Sequence, residues 1–500
     1  MLIRELLDAG DATAVAVTAP SRPSLNYGGL RAHCDDIAGQ LAFLGLVSGD
    51  RVAIVLPNGP EMATCFLAVA SQFSAAPLNP AYKQSEYLFY LEDLAPKLVI
   101  VADGSDNPVR AAATELGISV IEAKVADGAA AGLFSLCDGT ADITAPVPSS
   151  EALVLHTSGT TSRPKVVPLT QENIVTSAGN ISASLQLTSA DHCLNIMPLF
   201  HIHGLIAVIS ASMSKGASVC CSTGFNALKF MDLAAAEQIS WYSGVPTMHQ
   251  ALLLRAQRNA EQAKALRLRF IRSSSASLPP AVFDELVSAF GCPVIEAYGM
   301  TEAAHQMTSN PLGAGKQKAG HVGIMTSPEV CIMNDAGEML AHGLEGEVCI
   351  RGKNVTPGYE NNPAANESSF INGWFRTGDQ GVFDAEGYLK LTGRLKEIIN
   401  RGGEKISPLE VDNVLMEHEA VQQVVTFAMP DKMLGEDIAA AIVLAEDRQA
   451  SEAEIKAFAA EALAKFKIPK TIVFLDEIPK GATGKLQRIG LAGKLDLGSK

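Results

Sequence analysis

The stretch "ALVLHTSGTTSRPKVVPLTQ", residues 152–171, joins an apolar run to a loop of small hydroxyl residues that ends in Arg-Pro-Lys. Gly159 and Lys165 stand six positions apart, as do the first glycine and the lysine of a Walker A phosphate loop. The match then fails, because Pro164 and Val166 flank the lysine where Walker A has glycine and Ser/Thr. Hydroxyls, a glycine and a lysine still suit a phosphate group. The alternative is a polar hairpin loop after a buried strand.

Length and composition predict a large α/β protein of more than one domain. The chain has 500 residues, which exceeds one ordinary hydrophobic core. It is 47% hydrophobic, and its 42 glycines and 25 prolines are spread along the chain, so turns are frequent and disorder is not expected. The formal net charge of -15 argues against a nucleic-acid surface, which needs a basic face. Anionic ligands must therefore be met by local groups of cations.

Cysteine usage and hydropathy bear on the compartment. The nine cysteines are an odd number without a C-x-x-C pair, which favours reduced thiols over a disulfide framework. The first residues lack the design of a signal peptide. No stretch approaches about 18 uninterrupted apolar residues, so no membrane span is expected. The cytoplasm is the predicted location.

Strand and helix patterns alternate along most of the chain. "DRVAIVLPNG" (50–59) and "KLVIVADG" (97–104) are typical of buried strands, and "PEMATCFLAVASQFSA" (60–75) between them is typical of a helix. The stretch 230–254 repeats this rhythm, which indicates a parallel sheet. Near residue 390 the sequence becomes charged and rich in glycine and then enters a smaller βαβ-like segment. These changes predict two domains, 1–395 and 396–500.

Three further stretches carry candidate functional groups. "MPLFHIHGL" (197–205) contains two histidines, which are more often structural than metal ligands when no third ligand is near. In "EAYGMTEAAHQM" (296–307), Tyr298 can lie on a base and Glu302 can hold Mg²⁺, or the two can be a core tyrosine and part of a helix cap. "WFRTGD" (374–379) ends in Asp379, which is either a ribose acceptor or a turn aspartate.

Taken together and in this order, these stretches resemble the adenylate-forming enzyme superfamily of acyl-CoA synthetases, carrier-domain adenylation modules and luciferases. The resemblance covers nearly the whole chain. It implies a large N-terminal domain of parallel and mixed sheets with helices, followed by a small mobile α+β C-terminal domain. It also implies ATP, Mg²⁺ and coenzyme A as cosubstrates and cofactor.

The resemblance assigns roles to residues that match the superfamily motifs. Lys165, Thr301, Glu302 and Lys485 are the expected catalytic groups, with Glu302 as the Mg²⁺ ligand and Lys485, in "PKGATGKLQR", as a lysine of the mobile domain. The expected ATP and AMP contacts are Thr157, Ser158, Gly159, Thr160, Thr161, Lys165, Ser275, Ala276, Ser277, Glu296, Ala297, Tyr298, Gly299, Thr301, Asp379, Arg394 and Lys485.

The chemistry of acid activation explains why cations are needed. A carboxylate must attack the α-phosphate of ATP, so two anions have to meet in a site of fixed positive charge and sheltered geometry. A thiol must then reach the adenylate, which members of the superfamily allow by rotating the small domain, here about Lys396. That rotation brings in "NRGGEKIS", where Arg401, Gly402, Gly403 and Lys405 are expected to contact coenzyme A, with Lys432 and Lys467 as further phosphate contacts. A solvated loop is the alternative for all of these.

Within the superfamily, "TSRPKVVPLTQENI", "PLFHIHGL" and "TEAAHQMTSNPL" resemble the oxalate-CoA ligases most. Val166 departs from the pattern, since glycine is usual there. Valine is expected to make the loop less flexible than glycine would. A small dicarboxylate needs a short polar pocket, for which His203, Ser274, Ser275 and His305 are the expected residues.

The expected function is therefore ligation of a small carboxylic acid, most of all oxalate, to coenzyme A through an acyl-adenylate. Three alternatives stay open: a ligase for another short, medium-chain or aromatic acid, a loader of a carrier protein's phosphopantetheine, and an inactive nucleotide-binding regulator. The expected partners are the small molecules alone, without nucleic acid, and the chain is expected to be a monomer or a homodimer.

Overall fold

The structure is a computed structural model that describes residues 1–157, 164–481 and 485–497. The described residues form four sheets. Their strands, in chain order, are β1 (Val15–Thr18), β2 (Leu25–Asn26), β3 (Arg51–Val55), β4 (Ser74–Pro77), β5 (Leu98–Ala102), β6 (Ser119–Ala123), β7 (Glu151–His156), β8 (Val166–Thr170), β9 (His192–Asn195), β10 (Ser218–Cys221), β11 (Trp241–Gly244), β12 (Phe270–Ser273), β13 (Val294–Met300), β14 (His305–Ser309), β15 (Ile324–Met325), β16 (Glu329–Met333), β17 (Gly346–Arg351), β18 (Phe370–Ile371), β19 (Trp374–Phe383), β20 (Leu389–Arg394), β21 (Ile399–Arg401), β22 (Glu404–Ile406), β23 (Val421–Asp431), β24 (Gly435–Leu444) and β25 (Thr471–Phe474).

Helices cover the faces of these sheets. In chain order they are α1 (Ile3–Leu6), α2 (Tyr27–Phe43), α3 (Pro60–Gln72), α4 (Gln84–Leu94), α5 (Val109–Glu115), α6 (Gln171–Ser184), α7 (Ala211–Met213), α8 (Phe230–Ala236), α9 (Pro246–Arg258), α10 (Ala260–Ala265), α11 (Pro280–Phe290), α12 (Pro363–Ser369), α13 (Pro408–Leu415), α14 (Glu452–Ala462) and α15 (Leu491–Lys494). A π-helical segment, His203–Ser210, leads into α7, and short 3₁₀ turns lie at Leu7–Ala9, Thr301–Ala303, Leu395–Glu397 and Lys465–Lys467. In the part of the chain that the structure describes, none of the helices has the length and apolar content to cross a membrane.

Two large sheets form the body of the N-terminal part. One has the order β15-β14-β13-β12-β11-β9-β10-β1-β2 and is parallel from β13 to β1. The other has the order β6-β5-β3-β4-β7-β8 and is parallel except for β8. One buried apolar cluster joins strands of both sheets to α2, α3 and the π-helical segment. The alternation of strands and helices in the sequence therefore predicted the parallel layers correctly.

The third and fourth sheets follow in the chain. Strands β16-β17-β19-β18 form an antiparallel sheet, with β20 paired to β19. After this sheet, β22-β21-β24-β23 form a small antiparallel sheet, and β25 joins β24 in parallel after the crossover helix α14. This crossover is the βαβ unit that the sequence indicated. The large N-terminal and small C-terminal parts of the expected fold are confirmed.

The buried apolar clusters divide at the same point of the chain. Two clusters contain buried residues only from Ile399 onward, and they fill the two faces of the small sheet. The buried members of the other clusters lie before Thr392. Each part thus buries its own core, which is the physical requirement for parts that can move against each other.

An arginine ties distant segments of the N-terminal part together. At the start of β3, the Arg51 guanidinium donates to both carboxylate oxygens of Glu151, each at 2.7 Å, and also to Glu360. The Arg51 side chain is 16% exposed, and those of Glu151 and Glu360 are 21% and 28% exposed. Forked pairs of this kind are stronger than single contacts between exposed side chains.

We expect Arg51→Met to lower the free energy of unfolding by about 1–3 kcal/mol, because it leaves two partly buried carboxylates without their cation. Thermal unfolding gives the measurement. The matched control is Arg351→Met, which breaks an exposed pair with Glu329 and should change the melting temperature less. Equal melting temperatures for Arg51→Met and the wild type would show that the pairs contribute nothing.

Candidate active site

The hydroxyl-rich stretch closes a hairpin between β7 and β8. The two strands pair antiparallel up to His156 and Val166, and beyond them the Thr157 N–H donates to the Lys165 carbonyl at 2.9 Å. The Lys165 N–H in turn donates to Thr157 Oγ1 at 3.0 Å. The two ends of the loop are thereby fixed, and Ser158, Gly159, Thr160 and Thr161 lie outside the described residues.

Val166, which departs from the sequence pattern, is a strand residue. It is 6% exposed and packs in the apolar cluster that contains Val55 and Val154. Its carbonyl accepts the Glu360 N–H at 3.0 Å. A β-branched side chain suits such a position, so valine stabilises the strand that follows the loop.

Lys165 and Glu302 meet at one aromatic ring. Lys165 Nζ lies 4.1 Å from the ring centroid of Tyr359, and the Tyr359 hydroxyl donates to Glu302 Oε1 at 2.7 Å. Burial lowers the pKa of Lys165, and the nearby charge of Lys396 lowers it further. Glu302 is 6% exposed and belongs to the 3₁₀ turn that begins with Thr301. The ring therefore sets the distance between a cation and a carboxylate that are far apart in sequence.

Tyr298, Asp379 and Arg394 form a cluster in which the tyrosine is buried, the Asp379 side chain is 14% exposed and the Arg394 side chain is 49% exposed. The Tyr298 hydroxyl donates to Asp379 Oδ2, and Arg394 Nε lies 3.0 Å from Asp379 Oδ1. The pairing of β19 with β20 puts Asp379 opposite Arg394. Burial raises the pKa of Asp379, while the Arg394 charge opposes that rise. Three residues that the sequence analysis singled out separately are thus in direct contact.

The loop after β12 is held by the next strand. The Leu278 N–H donates to Glu296 Oε1 at 2.9 Å, and the Ser274 hydroxyl donates to the Ala297 carbonyl at 2.7 Å. Between these two anchors, Ser275 has a left-handed φ of 74°, Ala276 is exposed and Ser277 is half-buried. The Ser274 hydroxyl is used by the backbone, so Ser275 is the better placed of the two to meet a ligand.

Gly299 is required by a close approach of the backbone. A Cβ atom on this residue would lie 2.0 Å from the His305 carbonyl oxygen. The register of β13 and β14 shifts between Tyr298 and Gly299, which brings the two strands together here. Glycine at this position therefore allows His305 to sit beside the 3₁₀ turn that carries Thr301 and Glu302.

Two buried histidines face the loop after β12. His203 Nδ1 lies 3.0 Å from Ser275 Oγ, and its Nε2 lies 2.6 Å from Ser243 Oγ. The His203 and His305 rings are 4.9 Å apart. Burial, more than any neighbouring charge, holds the pKa values of both rings well below their usual range. Both histidines are neutral at pH 7 and offer hydrogen bonds without charge.

Lys485 of the small domain interacts electrostatically with groups of the large one. Burial and, to a smaller extent, the Arg394 charge lower its pKa to about 8, against the opposite effect of Asp379 and Glu302. Burial lowers the pKa of His201 to about 3 and holds those of His203 and His305 well below their usual range, and the Lys485 charge adds to all three shifts. Lys485 therefore interacts both with the nucleotide candidates and with the histidines.

The expected coenzyme A contacts lie on the β21–β22 hairpin. Arg401 Nε donates to Asp437 at 2.6 Å, and Gly402 and Gly403 have φ angles of 62° and 103°. Lys405 is exposed. Lys467, a further candidate, pairs with Glu410 at 2.6 Å. The hairpin turn needs its glycines, while Arg401 and Lys467 have partners inside the small domain.

A small cavity lies beside the 3₁₀ turn that carries Thr301 and Glu302. The cavity, of about 50 Å³, is lined by Tyr82, Tyr90, His201 and Thr301 among others. Within the described ranges, no group of three or more His, Cys, Asp or Glu side chains could hold a metal ion. Mg²⁺ in nucleotide sites is held by one or two carboxylates together with phosphate oxygens, and Glu302 fits that chemistry.

Comparison with known proteins agrees with this geometry. Residues 7–360 match the family model described as AMP-binding enzyme, and residues 410–485 match the AMP-binding enzyme C-terminal domain. The chain belongs to the AMP-binding enzyme family. Its cluster of Tyr298, Asp379 and Arg394 spans the end of the first matched region and the segment that joins it to the second.

Several relatives of this AMP-binding enzyme are similar over most of their length. An oxalate-CoA ligase from Arabidopsis thaliana is 46% identical over 89% of this chain and 88% of the relative. A probable CoA ligase, CCL9, from Humulus lupulus is 45% identical over 93% and 90%, and an oxalate-CoA ligase from Saccharomyces cerevisiae is 42% identical over 88% and 86%.

Solved structures show the same fold. The ATP-bound MatB from Rhodopseudomonas palustris has a TM-score of 0.89 and 27% identity, with 99% of each chain covered. The o-succinylbenzoate CoA synthetase MenE from Bacillus subtilis, in complex with ATP and magnesium ion, has a TM-score of 0.82 and 30% identity, with 97% of each chain covered.

Sequence reasoning missed several groups of this AMP-binding enzyme's site. Tyr359 follows an ordinary Pro-Gly turn, and Ser243 and Arg272 lie inside short strands, where nothing local distinguishes them. The one usable signal was the arginine in "RFIRSSS", because a charge in an otherwise apolar strand needs an explanation.

We expect Glu296→Gln to raise the melting temperature at pH 8.5 and to change it little at pH 4.5. Burial raises the Glu296 pKa to about 8 from an ordinary 4.5, so the folded state prefers the neutral acid. The stability that this gives is complete below pH 4.5 and is lost as the pH rises through 8. Glutamine can accept the Leu278 N–H without ionising. Glu296→Ala, which leaves that N–H unpaired, should be less stable than the wild type at both pH values.

Proposed function

We propose that the protein ligates oxalate to coenzyme A with ATP, forming oxalyl-CoA, AMP and pyrophosphate. The observation that carries the proposal is that Lys485, from the small domain, interacts electrostatically with Asp379, Arg394 and Glu302 and also with His201, His203 and His305 of the large one. A lysine there can reach both an α-phosphate and a carboxylate. The family and the named CoA ligases among its relatives support this reading.

Two steps make up the reaction. A carboxylate oxygen attacks the α-phosphorus of ATP, the bond to the β-phosphate breaks, and pyrophosphate leaves. The coenzyme A thiol, having lost its proton, then attacks the carbonyl carbon of the acyl-adenylate, and AMP leaves. Preorganised cations stabilise the first transition state, because charge collects between two anions in a site of low dielectric.

The proposed roles follow the match to the superfamily motifs. Lys165 and Thr301 would bind the β- and γ-phosphates with the hydroxyl-rich loop, and Glu302 would hold Mg²⁺. Asp379 and Arg394 bind the ribose. Tyr298 contacts adenine together with the loop at Ser275, Ala276 and Ser277. Lys485 serves adenylate formation.

A change of domain orientation is proposed for the second step. We assign 1–395 and 396–500 as the two domains, with Lys396 as the hinge, and the division of the apolar clusters supports this boundary. The rotation would withdraw Lys485 and bring in the hairpin of Arg401, Gly402, Gly403 and Lys405. The free glycine backbone at the hairpin tip lets a pantetheine arm pass close to the chain.

The oxalate assignment rests on the polarity of the pocket and on the relatives. Neutral His203 and His305, with the Ser275 hydroxyl, offer hydrogen bonds in a pocket where the Lys485 charge also acts. Such a pocket suits a second carboxylate. An acid without one would leave the buried hydrogen-bonding groups of the pocket without partners, which costs binding free energy. The oxalate-CoA ligases at 46% and 42% identity favour the same acid.

Pyrophosphate release and thioester formation over a panel of acids test the function. We expect oxalate to exceed acetate, malonate and hexanoate in kcat/KM by at least about 10²-fold, because unpaired polar groups and bulk both count against the others. Equal use of hexanoate would contradict the polar pocket. Selective use of an aromatic acid would leave the proposed reaction unchanged and would support the second candidate for the substrate.

That second candidate is a CoA ligase for another short, medium-chain or aromatic acid, and the relative whose name gives no acid is compatible with it. Transfer to a carrier protein instead of coenzyme A would indicate a loader of phosphopantetheine. We propose the cytoplasm as the compartment, since the nine cysteines are all free thiols. The proposed assembly is a monomer or a homodimer.

We expect Lys485→Ala to reduce pyrophosphate release by about 10²-fold or more and to spare thioester formation from ready-made oxalyl-adenylate, because it removes a charge used only in the first step. In the wild type, kcat/KM for adenylate formation should fall as the pH rises through about 8, since Lys485 then loses its proton.

Lys485→Arg is the control, because arginine keeps its charge and should remove that decline even where the rate is lower. Equal loss of both half-reactions in Lys485→Ala would show that the lysine holds the domain rather than the transition state. An unchanged decline in Lys485→Arg would assign the ionisation to another group.

A further inference from the structure

A buried arginine lies behind the two histidines of the pocket. Arg272, in β12, is 0% exposed, and burial lowers its pKa to about 9. Its partners are neutral: Nη1 lies 3.2 Å from Ser243 Oγ and 3.3 Å from His203 Nε2, and Nη2 donates to Gln306 Oε1 at 3.0 Å. Among the residues that the structure describes, no carboxylate forms a salt bridge with it, and its Nε has no hydrogen-bond partner.

This arrangement is costly unless something compensates it. A buried charge normally has a counter-ion, because leaving it unpaired in a low dielectric costs several kcal/mol. Gln306 is itself held by Ser184 and Thr326, so its amide is oriented to accept from Arg272. The fold therefore supports a fixed positive charge at this place without supplying the negative one.

The arginine also decides which nitrogen of His203 carries the proton. A guanidinium can only donate, so the nitrogen that faces it, Nε2, is the acceptor and Nδ1 carries the hydrogen. Nδ1–H then donates to Ser275 Oγ at 3.0 Å. Because that oxygen is already an acceptor, the Ser275 hydroxyl hydrogen is left to donate to a ligand. A chain of donors thus runs in one direction, from Arg272 through His203 to Ser275.

We propose that Arg272 is the positioning residue that makes this pocket specific for acids with a second negative charge. It fixes the donor chain that ends at Ser275, and it supplies the positive potential that a second carboxylate compensates. On the neighbouring ring, the buried Nδ1 of His305 has no hydrogen-bond partner among the described residues. This inference rests on the proposed function and goes beyond it by naming how a dianion is told from a monoanion.

The test compares kcat/KM for two acids, oxalate and oxamate, in the wild type and in variants of Arg272. Oxamate has the size of oxalate, but an amide replaces the second carboxylate. We expect wild-type kcat/KM for oxalate to exceed that for oxamate by about 10²-fold or more. In Arg272→Met and Arg272→Gln this ratio should fall at least about 10-fold, through a higher KM for oxalate, while KM for ATP stays unchanged.

Structural damage alone would lower the rates with both acids and leave their ratio intact. Arg351→Met, which loses an exposed arginine, is the matched control and should keep the wild-type ratio. An unchanged ratio in a folded Arg272 variant overturns the inference. Equal use of oxalate and oxamate by the wild type also overturns it, and this comparison does not depend on the folding of a variant. A wild type that ligates no oxalate overturns the proposed function and the inference with it, whereas ligation of oxalate with an unchanged ratio overturns the inference alone.

Discussion

The arrangement of the site depends on the contacts of one partly buried carboxylate, that of Asp379. It accepts the Tyr298 hydroxyl from the nine-stranded sheet and pairs with Arg394 across two strands of the antiparallel sheet. Lys485, from the small domain, is held more firmly in its charged form by the same carboxylate. One ion in a low dielectric therefore couples two sheets of the large domain and the lysine of the small one.

Charge is distributed unevenly across the site. Around the residues proposed to bind the nucleotide, cations and carboxylates are close to one another, as in Arg394 with Asp379. Around the proposed acid pocket, Lys485 and Arg272 are both positive, and His203 and His305 stay neutral because burial and these charges oppose their protonation. A protonated histidine there would add a third positive charge to these two. A neutral His203 ring instead donates from Nδ1, because its Nε2 accepts a hydrogen bond from Arg272.

Local patterns in the sequence were sufficient for the elements and for part of the site. The strands β3 and β5 and the helix α3 were predicted because buried runs and helical spacing are local properties. The hydroxyl-rich stretch was given two interpretations, a phosphate loop and a hairpin loop, and its ends do form a hairpin. The roles proposed for Lys165, Glu302 and Asp379 came from motifs that match a family, which is why they were available before any contact was known.

The sequence by itself determined the family, the order of layers and the types of group that the chemistry needs, because motifs and periodicity are written along the chain. Only the tertiary structure decided that Tyr359 lies between Lys165 and Glu302, that Ser274 is used by the backbone while Ser275 is not, and that Arg272 forms no salt bridge with a carboxylate of the described residues. These facts depend on burial and on contacts between residues tens to hundreds of positions apart. No local pattern encodes the free energy of a charge in a buried place, since that free energy is set by everything packed around it.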